Sequence, residues 1–433
     1  MNQSLTTRLS NIIVGAIAFI LVLMPFHEFL TTWAASNFGH LDLWRIWKEI
    51  LILLLTPIVI FFIYKTPSLK QWVKNDWIVR LIFIFILLNL ALGIWSYKTG
   101  RVNKNALADG LITDLRFFVF FIFGAVAAYK SDFFKRNWQT MLLISASIVV
   151  LFGLIQLFLP IDFLRHFGYG SNTIPPYETV NQNLNYRRIQ STLRGPNPLG
   201  AYLILIIPAC LINLKRQKWF KLTLIVGSLV ALFFTYSRSA DVGLVAALVV
   251  LYYLIKLNPK RRRVFVITCC SLALVFGLVV LAFRYNTTAQ NVLFHTSNSS
   301  KSPTSSNAQH VSALENGLKD VVHQPLGDGP GTAGPASAHN NHPARIAENF
   351  YVQIAQETGV VGALIFILIN LLVGIELWRK KKDPLACLLL ASLIGISLVN
   401  LVSHAWADDT LSLLWWGLAG IVLTPAIIKR TSK

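Results

Sequence analysis

The sequence is poor in charge. Only 13% of its 433 residues are Asp, Glu, Lys or Arg, against 55% hydrophobic, whereas soluble domains carry roughly 25% charged residues. So few charges cannot coat the core that a chain of this length would build, which argues against a soluble fold. Lipid is the alternative solvent, and there helices of about 20 apolar residues satisfy their own backbone hydrogen bonds. Cysteine is also scarce. Cys210, Cys269, Cys270 and Cys387 all fall inside apolar runs, without metal-ligand spacing. A disulfide framework is not expected, and the four read as packing residues at lipid depth. Acidic residues are half as many as basic ones, 19 against 39, for a net charge of +20. On a soluble protein that excess would suggest nucleic acid; here the sidedness of membrane loops accounts for it, and no nucleic-acid partner is expected.

What the sequence has instead is a series of apolar runs, near 10–29, 46–64, 79–97, 110–129, 140–159, 198–214, 219–236, 240–255, 263–283, 359–378, 385–402 and 410–428. The expected fold is all-α: one integral membrane domain over 1–433 with about twelve transmembrane helices. The first run lacks a basic leader and continues through Pro25, His27 and Glu28, so it reads as a retained span. With an even number of spans both termini share a side, and 24 of the 39 basic residues fall there in short loops. The positive-inside rule makes that side cytoplasmic. The opposite side holds two long loops, 160–197 and 284–358, and long loops in compact architectures are usually functional. The second contains a polar low-complexity insert, Thr296 to Asn307.

Several basic residues outside the cytoplasmic clusters sit where they are costly, beside apolar runs. In R-R-I-Q-S-T-L-R-G-P-N-P-L-G, Arg187 to Gly200, Asn197 is a suitable N-cap and Pro198 suits a first helical turn. Arg188 and Arg194 would then flank an outward helix N-terminus, which is either an anion site or a place where ordinary arginines snorkel. In Y-S-R-S-A-D, Tyr236 to Asp241, Arg238 stands beside serines able to cap the next helix. It binds an anion or pairs with Asp241 at the surface. Arg284 closes a span and Arg116 lies inside one.

The stretch from His323 to Gly334, H-Q-P-L-G-D-G-P-G-T-A-G, reads as a turn region without helix or strand. Beyond it, Glu348 opens E-N-F-Y-V-Q-I-A-Q-E-T-G-V-V-G, whose apolar spacing predicts an amphipathic helix at the membrane surface leading into the tenth span. Glu348 is either a carboxylate stabilised by the helix dipole or a general base. His339 and His342 lie in a polar cluster just upstream. They, His310 and His323 read as polar loop residues, any of which could contact substrate or share acid–base work.

At these motifs, R-G-P-N-P-L-G, S-R-S-A, P-L-G-D-G-P-G-T and E-N-x(9)-G-x-x-G, the sequence resembles the O-antigen ligase and polymerase superfamily of bacterial membrane glycosyltransferases. The ordered set covers about 185–365. The resemblance implies a protein of the bacterial inner membrane, with both termini cytoplasmic and an extracytoplasmic active site. It implies transfer of a glycan from an undecaprenyl-pyrophosphate donor to a hydroxyl of a glycan or glycolipid acceptor, without a metal or other cofactor. Arg194 and Arg238 match the arginines that bind the pyrophosphate, with Arg188 and Arg284 further candidates. Glu348 stands where ligases have His, and that departure favours a polymerase; alternatively His339 or His342 takes over. The chemistry is coherent, since a positioned base is worth about 10²–10⁴ in rate and each charge-assisted hydrogen bond roughly 1.5–3 kcal/mol.

Two other classes compete. A transporter or flippase for lipid-linked glycan would suit twelve spans, but the chain lacks a glycine-rich transporter loop between the second and third spans, and acidic residues deep in spans are few. A metal-dependent transferase would draw on Glu28, Asp42, Asp408 and Asp409, yet no Asp-x-Asp stands in an outer loop.

Overall fold

The computed structural model describes residues 3–255 and 306–431, with a few isolated positions between them. The expected span 263–283, Arg284, the Cys269–Cys270 pair and the polar insert up to residue 305 lie outside the described residues.

Each of the other apolar runs is helical. In chain order the helices are α1 (Gln3–Leu23), α2 (His27–Phe38), α3 (Trp47–Lys65), α4 (Trp77–Lys98), α5 (Lys104–Lys130), α6 (Phe133–Ile155), α7 (Pro196–Leu211), α8 (Lys218–Thr235), α9 (Arg238–Ile255), α10 (Ser306–His323), α11 (Phe350–Arg379), α12 (Pro384–Val399) and α13 (Asp409–Thr431). Among the described residues eight stretches are long and apolar enough to cross a membrane, and α7, α12 and the apolar part of α13 are shorter. One small antiparallel pair, β1 (Glu178–Thr179) with β2 (Arg187–Arg188), interrupts the first long loop.

Local chemistry sets the helix starts. Asp76 Oδ1 accepts from the N–H groups of Ile78 and Val79, Asn103 Oδ1 from Ala106, and Asp383 Oδ1 from Leu385 ahead of Pro384. The N-cap expected at Asn197 falls two residues too late. Gly195, fully extended, is the cap residue and Pro196 begins the helix, because proline's missing N–H costs nothing there. Asn197 is thereby freed for a side-chain contact.

The expected surface helix after Glu348 is also corrected. It forms the first part of α11, as far as Gly359, whose φ of 71° breaks the helix, and its residues are buried on nearly every face: Phe350, Ile354 and Glu357 are inaccessible. The segment is an inner plug rather than an interfacial helix. The sequence periodicity misled because Gln353, Gln356 and Glu357 are polar yet face protein. The amphipathic helix of this loop is α10, exposed along most of its length.

The bundle is organised around α5, 78% buried over its apolar window against 33% for α4. Surrounding helices leave Leu53, Leu87, Val226, Val245 and Leu364 exposed on their outer faces, as a lipid-facing girdle requires. Small residues allow two close crossings, the usual device where lipid gives no hydrophobic drive between helices. A β-carbon on Gly420 of α13 would stand 2.0 Å from the Phe121 carbonyl oxygen of α5, and one on Gly395 of α12 would stand 2.3 Å from the Gly243 carbonyl oxygen of α9. Gly395→Val must therefore push α9 and α12 apart. The expected outcome is a loss of at least about 1–3 kcal/mol, read as a lower midpoint of thermal unfolding in detergent; an unchanged midpoint contradicts the packing.

Candidate functional site

Loops that are far apart in sequence converge at one end of the bundle. The first long loop is tied down by Gln156, whose Oε1 accepts from the N–H groups of Gln190 (3.2 Å) and Ser191 (3.0 Å), by Ile189 N–H donating to Phe234 O (3.0 Å), and by Thr192 Oγ1 donating to Pro25 O (2.7 Å). Lys130, by contrast, bonds Thr66 Oγ1 at the far end of the bundle, where the basic loops gather.

Arg188 sits in a three-way clasp. Its Nε donates to Thr235 O (2.7 Å), Nη1 to Glu178 Oε2 (3.1 Å) and Nη2 to Asn197 Oδ1 (2.6 Å). It thus joins the strand pair, the end of α8 and the start of α7. Two further guanidinium protons remain after these bonds. Arg238 begins α9 after Tyr236, whose φ of 50° turns the chain sharply out of α8. Arg188, Arg238, Asn197, Tyr236, Gln182 and His310 line one open cleft of about 890 Å³. Burial lowers the pKa of Arg188, Glu178 opposes the shift and the charge of Arg238 adds to it. Two guanidinium groups thus repel across a cleft, an arrangement that an anion relieves.

A second group of candidate residues gathers at the start of α11. Asn349 Oδ1 caps the helix at Val352 N–H (3.0 Å), while its Nδ2 donates to Leu401 O (2.9 Å) and Phe350 N–H donates to Asn400 O (2.9 Å). These bonds dock the start of α11 on the end of α12. Glu348, just ahead, adopts φ 53°, a costly left-handed conformation for a residue with a side chain. Its carboxylate Oε2 lies 3.5 Å from His310 Nδ1 on α10. His404, in the turn after α12, is the third member: burial, reinforced by His310, pushes its pKa down to about 4, so it is neutral at neutral pH. Nothing in the sequence pattern marked His404, which reaches the site only through the docking of α11 on α12.

The glycine-rich stretch is a structural wedge. Asp328 N–H donates to Gln356 O (2.9 Å), Gly329 N–H to Glu357 O (2.8 Å) and Gly331 N–H to Glu357 Oε1 (2.7 Å), so these N–H groups are consumed within the fold. Asp328 also pairs with Arg101 and, at 2.7 Å, with Arg345. His342 borders a separate cavity of about 350 Å³ beside this pair, and His339 lies 3.6 Å from Asp109 on α5. Neither lines the arginine cleft. His323 closes α10 against Lys319 O.

Arg194 makes no hydrogen bond or ion pair among the described residues. It keeps an open face although protein surrounds it on most sides, and burial works against its charge. The nearby Glu28, Asp408, Asp409 and Asp109 outweigh that burial and hold the guanidinium above its ordinary range. Behind it lies a buried charge cluster. His27, Glu28 and Asp409 offer donor atoms close enough together for a metal ion, but Lys48 Nζ already sits 2.8 Å from Asp409 Oδ2 and 3.1 Å from His27 Nε2. The ammonium occupies the place a cation would take, so these residues do not fit a metal centre as they stand. Arg116 also belongs here, donating to Ala407 O (2.7 Å) and lying 3.7 Å from Glu49. Its intramembrane charge is accounted for structurally.

Residues 223–367 match the family model described as O-antigen ligase. That match supports the resemblance to the O-antigen ligase and polymerase superfamily. It takes in Arg238, His310, the glycine-rich wedge and Glu348, while Arg188 and Arg194 precede it. No curated protein sequence matches the chain. At family level the match implies a membrane enzyme of the glycosyltransferase kind.

The Asn349 clasp yields a direct check. Asn349→Ala removes both the cap and the bond to Leu401, and is expected to cost about 1–2 kcal/mol. Asn349→Asp keeps the cap and should recover part of the loss in a detergent unfolding curve. Equal stability of all three proteins would mean the clasp contributes nothing.

Proposed function

We propose that the protein transfers a glycan from an undecaprenyl-pyrophosphate donor to a hydroxyl of a glycan or glycolipid acceptor, at the extracytoplasmic face of the bacterial inner membrane. Arg188 and Arg238 hold the pyrophosphate, with Arg194 just ahead of the helix start that carries Asn197. Arg284 is a further pyrophosphate contact that the resemblance implies. Glu348 supplies the basic function, and His339 and His342 are the alternatives in the same loop. The observation that carries this reading is the single cleft lined by two mutually repelling guanidinium groups and by His310, the ring that faces Glu348.

The chemistry requires a leaving pyrophosphate to be stabilised as the bond to the anomeric carbon breaks. Preorganised donors do this without reorganisation cost, and transfer with inversion needs a base beside the acceptor hydroxyl. The reaction is taken as metal-independent, as the resemblance implies; among the described residues the His27–Glu28–Asp409 group already holds the Lys48 ammonium. Basic loops gathered at the opposite end of the bundle support an extracytoplasmic cleft and cytoplasmic termini. Glu348 favours repeat-unit polymerisation over ligation to a lipid core.

The test uses purified protein with undecaprenyl-pyrophosphate-linked repeat units in chelator, following released undecaprenyl pyrophosphate and glycan length. Wild type is expected to release it. Arg238→Ala should lose roughly ten- to hundred-fold in kcat/KM, and Glu348→Gln about 10²–10⁴. A product ladder indicates a polymerase, and a single transfer to added acceptor a ligase. No release, together with movement of the lipid-linked glycan across a vesicle bilayer, would instead make the arginines a cargo site.

A further inference from the structure

We propose that His310 is the catalytic residue that receives the acceptor proton, and that Glu348 acts through it as a positioning residue. The proposal rests on the transferase reading above and assigns where the proton lands.

The geometry separates the two edges of the ring. Nδ1 of His310 is sealed from solvent and has no hydrogen-bond partner among the described residues, and the Glu348 carboxylate stands within ion-pair reach, 3.5 Å away. The side chain as a whole is nevertheless 40% exposed, so its accessible part lies on the side away from Nδ1, and His310 is among the residues lining the arginine cleft. A carboxylate facing Nδ1 favours the tautomer with its proton there, which leaves Nε2 as the acceptor. Glu348 itself is held in a left-handed conformation immediately before a doubly anchored asparagine, so its backbone is fixed at the point from which the carboxylate reaches His310. His404, near enough to feel the charge of His310 and held neutral by burial, adds no charge that would compete for Glu348.

The step balances. The acceptor oxygen forms a bond to the anomeric carbon as its proton passes to Nε2. The bond from that carbon to the phosphate oxygen breaks, and its electron pair leaves with undecaprenyl pyrophosphate beside Arg188 and Arg238. The imidazolium, stabilised by the Glu348 carboxylate, then returns the proton to solvent. A carboxylate that orients an imidazole and supports its charged form is the arrangement of the Ser-His-Asp triad, in which neutralising the carboxylate alone costs about 10⁴.

His310 is half-exposed, so its substitution should leave the fold intact. His310→Ala, assayed with the same lipid-linked repeat units, is expected to lose about 10²–10⁴ in kcat with donor KM little changed. Added imidazole should restore a measurable part of that loss. Imidazole should not rescue Glu348→Gln, whose ring is still in place. His310→Gln, which keeps the size and polarity of the side chain, should remain as slow as the alanine variant. Near-wild-type turnover by His310→Ala, alongside an inactive Glu348→Gln, would overturn the proposal and make Glu348 the direct base. Loss that imidazole does not restore would also overturn it, leaving His310 a structural residue. Failure of wild type to release undecaprenyl pyrophosphate is a different result, and removes the transferase reading itself.

Discussion

The start of α11 has to be satisfied without water. A helix entering lipid leaves its first N–H groups unpaired, and a buried unpaired donor costs more than most single contacts contribute. Here one asparagine meets the need from two directions: Asn349 caps its own helix and reaches across to Leu401, while the Phe350 N–H bonds Asn400. The glycine-rich wedge is seated on the same helix through Gln356 and Glu357. Remove that docking and α11, α12, the wedge and the turn carrying His404 lose their common reference, and with it the placement of Glu348 against His310.

Two groups of charge at the same end of the bundle behave differently. In the interior, Lys48, His27, Asp409, Glu49 and Arg116 compensate one another at short range, as buried ions must. At the cleft, Arg188 is clasped by neutral oxygens and one glutamate, yet still feels Arg238. The interior ions offset one another, whereas two guanidinium groups share the cleft. The interior ions belong to the scaffold that holds α3, α5 and α13 in register.

Much of this was readable before any coordinates. Apolar runs marked the helices, because lipid imposes length directly on the sequence. The motifs at Arg188, Arg238 and Glu348 were legible as costly polar residues beside apolar runs. What could not be read was pairing across the chain: Arg188 with Asn197 and Glu178, Glu348 with His310, and Lys48 with Asp409. Each depends on the docking of helices whose sequence separation carries no periodic signal. The cap at Asn197 was misplaced for a smaller reason, since Pro196 and Pro198 both suit a first turn and only the extended Gly195 decides between them. The buried helix after Phe350 was mistaken for an interfacial one because its polar residues face protein partners instead of water.

The central claim is that the leaving pyrophosphate rests between Arg188 and Arg238, within reach of the His310 ring. A cryo-electron microscopy structure with undecaprenyl pyrophosphate bound addresses it most directly. The account predicts diphosphate density in that cleft, contacting both guanidinium groups, with the lipid tail leaving between helices into the bilayer. Density instead in the cavity beside Arg101 and Arg345, or against Arg194 and the Lys48 cluster, would contradict it.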